Sequence, residues 1–455
     1  MLNNNKTYLS HIRENFYLAY PVMLSQLGHV MMGVVDSVMV GHVNATSLAA
    51  ASLSNVAFNV LLLFGIGVSY AITPLVAEAH GENDHDRIVN TLRHGLVINF
   101  ITSMVLIVCV YYGKNILFHI DQSPQVVNLA IPYLKITTWS LVPILIFQSL
   151  KQFAEGLSLT RIAMIVVITS NVVNIILNYF LIFGHGGFPA LGLEGAAWAT
   201  FTSRIFMATF MVCYVIYGKE FSSFKGLFVF GKYSGALFKK LLHIGIPAGI
   251  QFIFEVAAFD FSAVMMGWIS AQTLAAHQIA INMATVSYMI TSGLGAAATI
   301  RVGFYLGQKD FINARQASYT LLYMALAIMS LWGIVFIAGK HFLPGLYVND
   351  PQVIEIATPL LIIAGLFQLA DGTQVVCTAA LRGLQDVKIP SLFIFSAYWI
   401  IGIPLGYWLG FRAGYGAVGI WLGLLIGLTL TALAMFTRFR YKLNQLGEAA
   451  SQNLS

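Results

Sequence analysis

Charge is what this chain has least of. Only 9% of its 455 residues are Asp, Glu, Lys or Arg, while 58% are hydrophobic. Soluble domains carry about 25% charged residues, so a water-soluble globule is excluded and an integral membrane protein is expected. Cysteine is nearly missing too. Cys109, Cys213 and Cys377 all fall inside apolar stretches and read as small apolar fillers, not as a disulfide framework or a metal set. There is no HExxH, no paired metal-ligand motif and no nucleophile–base pair. An intramembrane enzyme is therefore not expected. The polar N-terminus MLNNNKTYLSHIREN carries no cleavable signal pattern, so the first span should stay in the membrane.

Long apolar runs are what the chain has in excess, and its mean hydropathy is +0.78. Runs of about 20 residues suffice to span as a helix. Twelve are expected, near 16–41, 47–79, 95–112, 127–152, 162–184, 192–217, 241–268, 272–303, 316–339, 353–381, 389–410 and 416–437. Alternating the loops between two sides puts 19 Lys and Arg with both termini, leaving only Lys114, Lys340 and Arg412 opposite. By the positive-inside rule both termini are expected in the cytoplasm; the membrane expected is the plasma (inner) membrane. The net charge of +6 thus reports topology, and no nucleic-acid partner is expected.

The chain repeats itself. At an offset of 226, Pro21 meets Pro247, Gly41 meets Gly267, Leu48-Ala49-Ala50 meets Leu274-Ala275-Ala276, Gly81 meets Gly307 and Asp84 meets Asp310. After one added residue the match resumes at 227, with Pro124-Gln125-Val126 on Pro351-Gln352-Val353 and Gly156-Leu157 on Gly383-Leu384. Six spans per half make both halves enter from the same side, as in parallel-repeat transporters. The fold expected is all-α: two six-helix lobes, 1–217 and 241–455, related by a pseudo-two-fold axis along the membrane normal. A basic cytoplasmic linker, 218–240, joins them.

Against this background three acids stand out. Asp36 lies in MMGVVDSVMV, Glu255 in IQFIFEVAAF and Asp371 in GLFQLADGTQVV. A charge at mid-bilayer depth costs a few kcal/mol, so it normally faces a partner or a watery cavity. The repeat does not reproduce them: Asp36 aligns with Ser262, Glu255 with His29 and Asp371 with Ile144. Asn171, Asn174 and Asn178 share one helix face by their spacing. With Asp36 and Thr200 they offer oxygens for Na+, or hold a proton on the acid; an interhelical hydrogen-bond lock is the other reading. Glu255 and Asp371 sit on different helices that can converge, and a cation between two such acids removes their repulsion. Asp260 points about 140° away from Glu255 by helix geometry, and its role stays open.

Phe259, Tyr288 and Phe367 offer aromatic faces that attract organic cations, and Gln278 an uncharged hydrogen-bonding group. His277 reads as a satisfied local contact. Arg204 is the clearest mid-span counter-charge, so the interior is net acidic, which suits cationic substrates.

These segments are also familiar as a set. GVVDSVMVG followed by SLAAAS, then FEV, LAAHQIAIN, GLGAAATIRVGFYLGQ and ALRGLQD resemble the multidrug and toxic compound extrusion (MATE) family, in its NorM-like branch, from about residue 15 to 440. The resemblance implies export of hydrophobic, mostly cationic compounds driven by inward Na+ or H+, with no cofactor besides that ion. It implies cation sites at Glu255 and Asp371, where Na+ is possible, and at Asp36, Asn174, Asn178 and Thr200. Tyr288 and Gln278 match family positions linked to cation or substrate contact. A monomer in the lipid bilayer with small organic cations as its partners is expected. A flippase of lipid-linked precursors, from the same superfamily, is the alternative; its cavity would need several Arg and Lys for phosphates.

Overall fold

In hydrocarbon, apolar runs of this length can satisfy their own backbone only as helices. The computed structural model describes residues 7–113, 115, 123–224 and 233–452, the last seven by backbone alone. Among the described residues there is no strand, and twelve helices are long and apolar enough to cross a membrane. They are α1 Tyr8–Gly41, α2 Ala45–Gly81, α3 His85–Gly113, α4 Pro124–Gly156, α5 Thr160–Phe183 and α6 Leu193–Tyr217, then α7 Gly235–Ile269, α8 Ala271–Gly307, α9 Phe311–Ala338, α10 Pro351–Gly383, α11 Lys388–Arg412 and α12 Gly416–Gln445. Lys6, Lys114, Lys225 and Lys232, which entered the charge count, lie outside the described residues, as does 225–232 of the 218–240 linker.

The sequence repeat is carved into the backbone. α2 and α8 begin and end 226 residues apart, and α4 and α10 begin and end 227 apart. Asn44 and Ser270 cap α2 and α8 alike: each side chain accepts the backbone N–H three residues on, from Ser47 and Thr273. Such a cap satisfies one of the orphan donors of a helix start. Left-handed backbone recurs in pairs as well, with Asn83 (φ 58°) matched by Lys309 (φ 55°) and Ser158 (φ 65°) by Gln385 (φ 62°).

Proline explains where the halves differ. α2 breaks at Tyr70–Ala71 and α4 at Ser140. A proline ring clashes with the carbonyl four residues earlier, which for Pro74 is that of Tyr70 and for Pro143 that of Trp139. The equivalent residues Ile300 and Ala370 carry no such ring, and α8 and α10 run unbroken.

Contacts gather the chain into two compact units. One comprises the chain up to Met23 together with that from Ile250 on; the other comprises Leu24–Gly249. The lobes expected from the sequence, 1–217 and 241–455, therefore differ from these units by the starts of α1 and α7. Both crossover points, 23/24 and 249/250, fall 226 residues apart. A glycine of another helix packs against the residue before each. A Cβ on Gly67 would lie 2.4 Å from Gly249 Cα, and one on Gly293 2.4 Å from Met23 Cγ. Only a residue without a side chain fits such contacts.

Ion pairs tie down the same two helix starts. Glu14 of α1 pairs with Arg301 of α8, and Lys240 of α7 lies 3.6 Å from Glu78 of α2. Residues 14 and 240 are equivalent, with opposite charge.

Candidate functional site

In the unit Leu24–Gly249, α1, α5 and α6 bring four polar side chains together. Asn178 donates its amide N–H to Asp36 Oδ1 at 2.6 Å, and Thr200 donates its hydroxyl to Oδ2 at 2.8 Å. Asn178 also donates to Asn174 Oδ1 at 3.2 Å. The spacing of four between 174 and 178 puts both amides on the face of α5 that meets α1. Asp36 is 7% exposed and Asn174 and Asn178 are fully buried. Asn178 Oδ1 is buried with no hydrogen-bond partner among the described residues. One oxygen beside the carboxylate is thus open to a small cation, and hard cations favour oxygen ligands of this kind.

Asn171 is different: its amide donates to the backbone carbonyl of Gly28 at 2.8 Å, so the stripe divides into one interhelical lock and two neighbours of the acid. Arg204, the expected counter-charge, donates to Ser140 Oγ at 2.5 Å and lies 4.7 Å over the Phe58 ring. It stays within electrostatic reach of Asp36.

The other unit holds a second acidic site, on α7 and α10. Glu255 Oε1 accepts the Gln374 amide at 2.8 Å. Asp371 precedes Gln374 by three residues, which puts it on the same face of α10, and it interacts electrostatically with Glu255. Both carboxyls are buried, at 9% and 8% exposure. Tyr398 makes a long 3.4 Å contact from its hydroxyl to Gln374 Oε1. It sits in a π-helical stretch of α11, Ser396–Gly402, a wide turn found often at functional sites.

The aromatic residues chosen from the sequence fall in three settings. Phe259, one turn beyond Glu255, places its ring 5.9 Å from that of Tyr398. Tyr288 is half-buried and within electrostatic reach of Tyr398. Phe367 stacks on Trp421, with centroids 5.7 Å apart and planes at 15°. Gln278 and Asp260 are both exposed, so Asp260 turns away from buried Glu255 as the helical rotation requires. His277 accepts the Trp421 indole N–H at 3.1 Å, a contact between helices and not a local one.

Two groups escaped the sequence reading. Gln374 is one: a polar residue one turn after Asp371 in an apolar helix was the available signal. The other is on α4, where Gln148, Lys151, Gln152 and Glu155 are all at most 3% exposed. Lys151 is one of the 19 Lys and Arg that loop alternation places with the termini. It lies inside α4, because the helix runs on to Gly156.

Comparison with known proteins adds three findings. A family model described as MatE matches residues 21–180 and again 247–408. A probable multidrug resistance protein NorM of Rhizobium meliloti (strain 1021) is 33% identical over 454 residues, covering 99% of this chain and 97% of that protein. The multidrug resistance protein MdtK of Yersinia enterocolitica (serotype O:8 / biotype 1B) is 34% identical over 439 residues, covering 95% and 96% of the two chains. Among solved structures, the eukaryotic MATE transporter AtDTX14 gives a TM-score of 0.86 at 22% identity, covering 97% of this chain and 99% of that one. A MATE in the bent conformation gives 0.88 at 18% identity, covering 98% and 99%. These two likenesses bear on the fold alone.

Proposed function

The chain belongs to the MatE family, whose model matches it in both halves, and from that premise we propose that it exports drugs and other toxic compounds by exchange for an inward cation. It is a multi-pass integral membrane protein and a transporter, as its relatives are, not an enzyme. Its passengers are hydrophobic organic compounds, mostly cations; its coupling ion is Na+ or H+; it works as a monomer in the plasma (inner) membrane with both termini in the cytoplasm.

The observation that carries this reading is the pair of buried carboxylate sites. A lock between helices would need only amides and hydroxyls, as Asn171 illustrates. Asp36, Glu255 and Asp371 add removable negative charge, whose burial is costly unless a cation repays it. A cation bound at Asp36 or between Glu255 and Asp371 favours one conformation over another by its differential affinity, and movement of the repeats about such sites gives alternating access. Tyr288, Phe259 and Gln278 are the proposed substrate contacts, with Phe367 holding α10 in place through Trp421.

The flippase alternative gains no support. Buried Lys151 and Arg301 join Arg204 as interior cations, but each has a carboxylate beside it, Glu155 at 3.8 Å and Glu14 in direct contact. Neither is left for a phosphate.

Export of an organic cation from proteoliposomes under imposed Na+ and pH gradients, varied separately, tests the proposal. Efflux is expected under at least one gradient. Efflux under neither would refute it.

A further inference from the structure

A groove runs down the surface that α3, α4 and α6 share, in the unit Leu24–Gly249. Its two hollows, of about 420 and 340 Å³, adjoin at Trp139 and Phe201. Met104 of α3, Pro143 and Ile146 of α4, and Ile205 and Thr209 of α6 line the first; Lys135 and Trp198 stand at the second. The groove lies where α4 breaks at Ser140, the break that the Pro143 ring enforces. The repeat does not require it. At the offset of 227, Lys135, Trp139 and Pro143 meet Ile362, Leu366 and Ala370, and α10 runs unbroken.

Its surroundings are those of a lipid-facing surface. Ile101, Val105 and Val108, on the same stripe of α3 as Met104, are exposed, and so is Ile205 of α6. An exposed apolar stripe on a spanning helix faces hydrocarbon. Lys135 breaks the pattern: it is exposed eleven residues past the start of α4 and makes no ion pair or hydrogen bond among the described residues. Glu194, the one acid of α6, stands a turn nearer the helix start than Trp198 and forms no ion pair with Lys135. The indole N–H groups of Trp139 and Trp198 have no acceptor among the described residues either, whereas Trp399 and Trp421 donate to the Phe254 carbonyl and to His277. Three donors, one of them cationic, thus stand unspent at one end of an apolar trough.

The dimensions match one leaflet. Lys135 to Ile146 and Trp198 to Thr209 each cover eleven residues, about 16 Å of helix rise. A leaflet offers about 15 Å of hydrocarbon, half of the core. Spans alternate, so α4 and α6 both begin on the side away from the termini. Trp198 is five residues past the start of α6, the level at which tryptophans mark the membrane–water interface. A lysine beside it extends its ammonium to the headgroups, where phosphate is the counter-charge on offer.

We propose that this groove binds one anionic phospholipid of the leaflet away from the termini. Its phosphate sits on the Lys135 ammonium and the two indole N–H groups, and one acyl chain runs down past Pro143 to Thr209. A chain alone would not need the lysine, and free phosphate would not need the trough. The inference holds whichever ion drives export, because it concerns binding and not exchange.

The test places full-length protein in phosphatidylcholine vesicles with a minor share of chain-brominated phosphatidylglycerol or, for comparison, chain-brominated phosphatidylcholine. Bromine quenches the fluorescence of nearby tryptophan, and quenching beyond that of the Trp139→Phe, Trp198→Phe double variant reports the groove. At equal content it is expected to be at least three-fold stronger with phosphatidylglycerol. Lys135→Met should make the two lipids equal, and Lys135→Arg should keep the preference. Thr209→Phe fills the deep end and leaves the charge in place; it should at least halve the quenching by phosphatidylglycerol. Excess inorganic phosphate should change nothing. Equal quenching by both lipids in the wild type, an undiminished preference in Lys135→Met, or relief by inorganic phosphate overturns the proposal. So does quenching by neither lipid, the result that a second copy of the chain seated on the groove would give. Should Lys135→Met fail to fold, undiminished quenching in Thr209→Phe overturns it.

Discussion

His29 and Glu255 occupy the same position in two copies of one scaffold, 226 residues apart, and they face Phe147 and Gln374, which are 227 apart. Equivalent positions are neighbours in both copies, and the chemistry differs. Duplication supplied the frame, and side chains placed singly in each copy made the two units unequal.

Asp36→Asn is expected to keep the fold and lose the function. The amide oxygen still accepts from Asn178, and the Thr200 hydroxyl can reverse to accept from the new N–H. Asp36→Leu strands both partners, which costs about 1–3 kcal/mol per buried polar group. Thermal melting of the purified proteins should therefore separate the two: near wild type for Asn, several degrees lower for Leu. Export should fall at least ten-fold in both.

Gln374→Leu takes away the amide hydrogen bond that Glu255 accepts. A hydrogen bond to a charged group is worth about 1.5–3 kcal/mol, so export should drop about ten-fold or more. Residues in direct contact are not additive. The double variant Glu255→Gln with Gln374→Leu should transport no worse than Glu255→Gln alone, as measured by initial efflux rates; additive losses would separate the two residues.

Gly67→Ala and Gly293→Ala should both destabilise, and unequally. Overpacking typically costs about 1–3 kcal/mol. At Gly293 the nearest atom is Met23 Cγ, the arm of a flexible side chain, whereas at Gly67 it is the Gly249 backbone. Met23→Ala should restore part of the melting temperature lost by Gly293→Ala. No side chain can be trimmed to rescue Gly67→Ala, which should melt lower.

Much of this was legible in the residues. Twelve apolar runs and an offset of 226 fixed span number and repetition, because bilayer thickness and backbone hydrogen bonding leave few choices. The Asp36 cluster was legible from the spacing of Asn174 and Asn178. Gln374 was not, because its bond to Glu255 depends on the rotational setting of α10 against α7. Nor was the sharing of α1 and α7 between units: a helix continues unbroken through 23/24 and 249/250, so composition carries no mark there. Lys151 misled because a lysine near a helix end ordinarily snorkels to water; this one is held inside by Glu155 and Gln26.

Exchange itself is the claim on which the rest depends, and reciprocal flux tests it most directly. Vesicles loaded with an organic cation and given no ion gradient should take up Na+ or H+ as the passenger leaves, followed by an ion-sensitive dye in the lumen. Glu255→Gln and Asp371→Asn should abolish the ion movement. Passenger efflux with no accompanying ion uptake in the wild type would contradict the account.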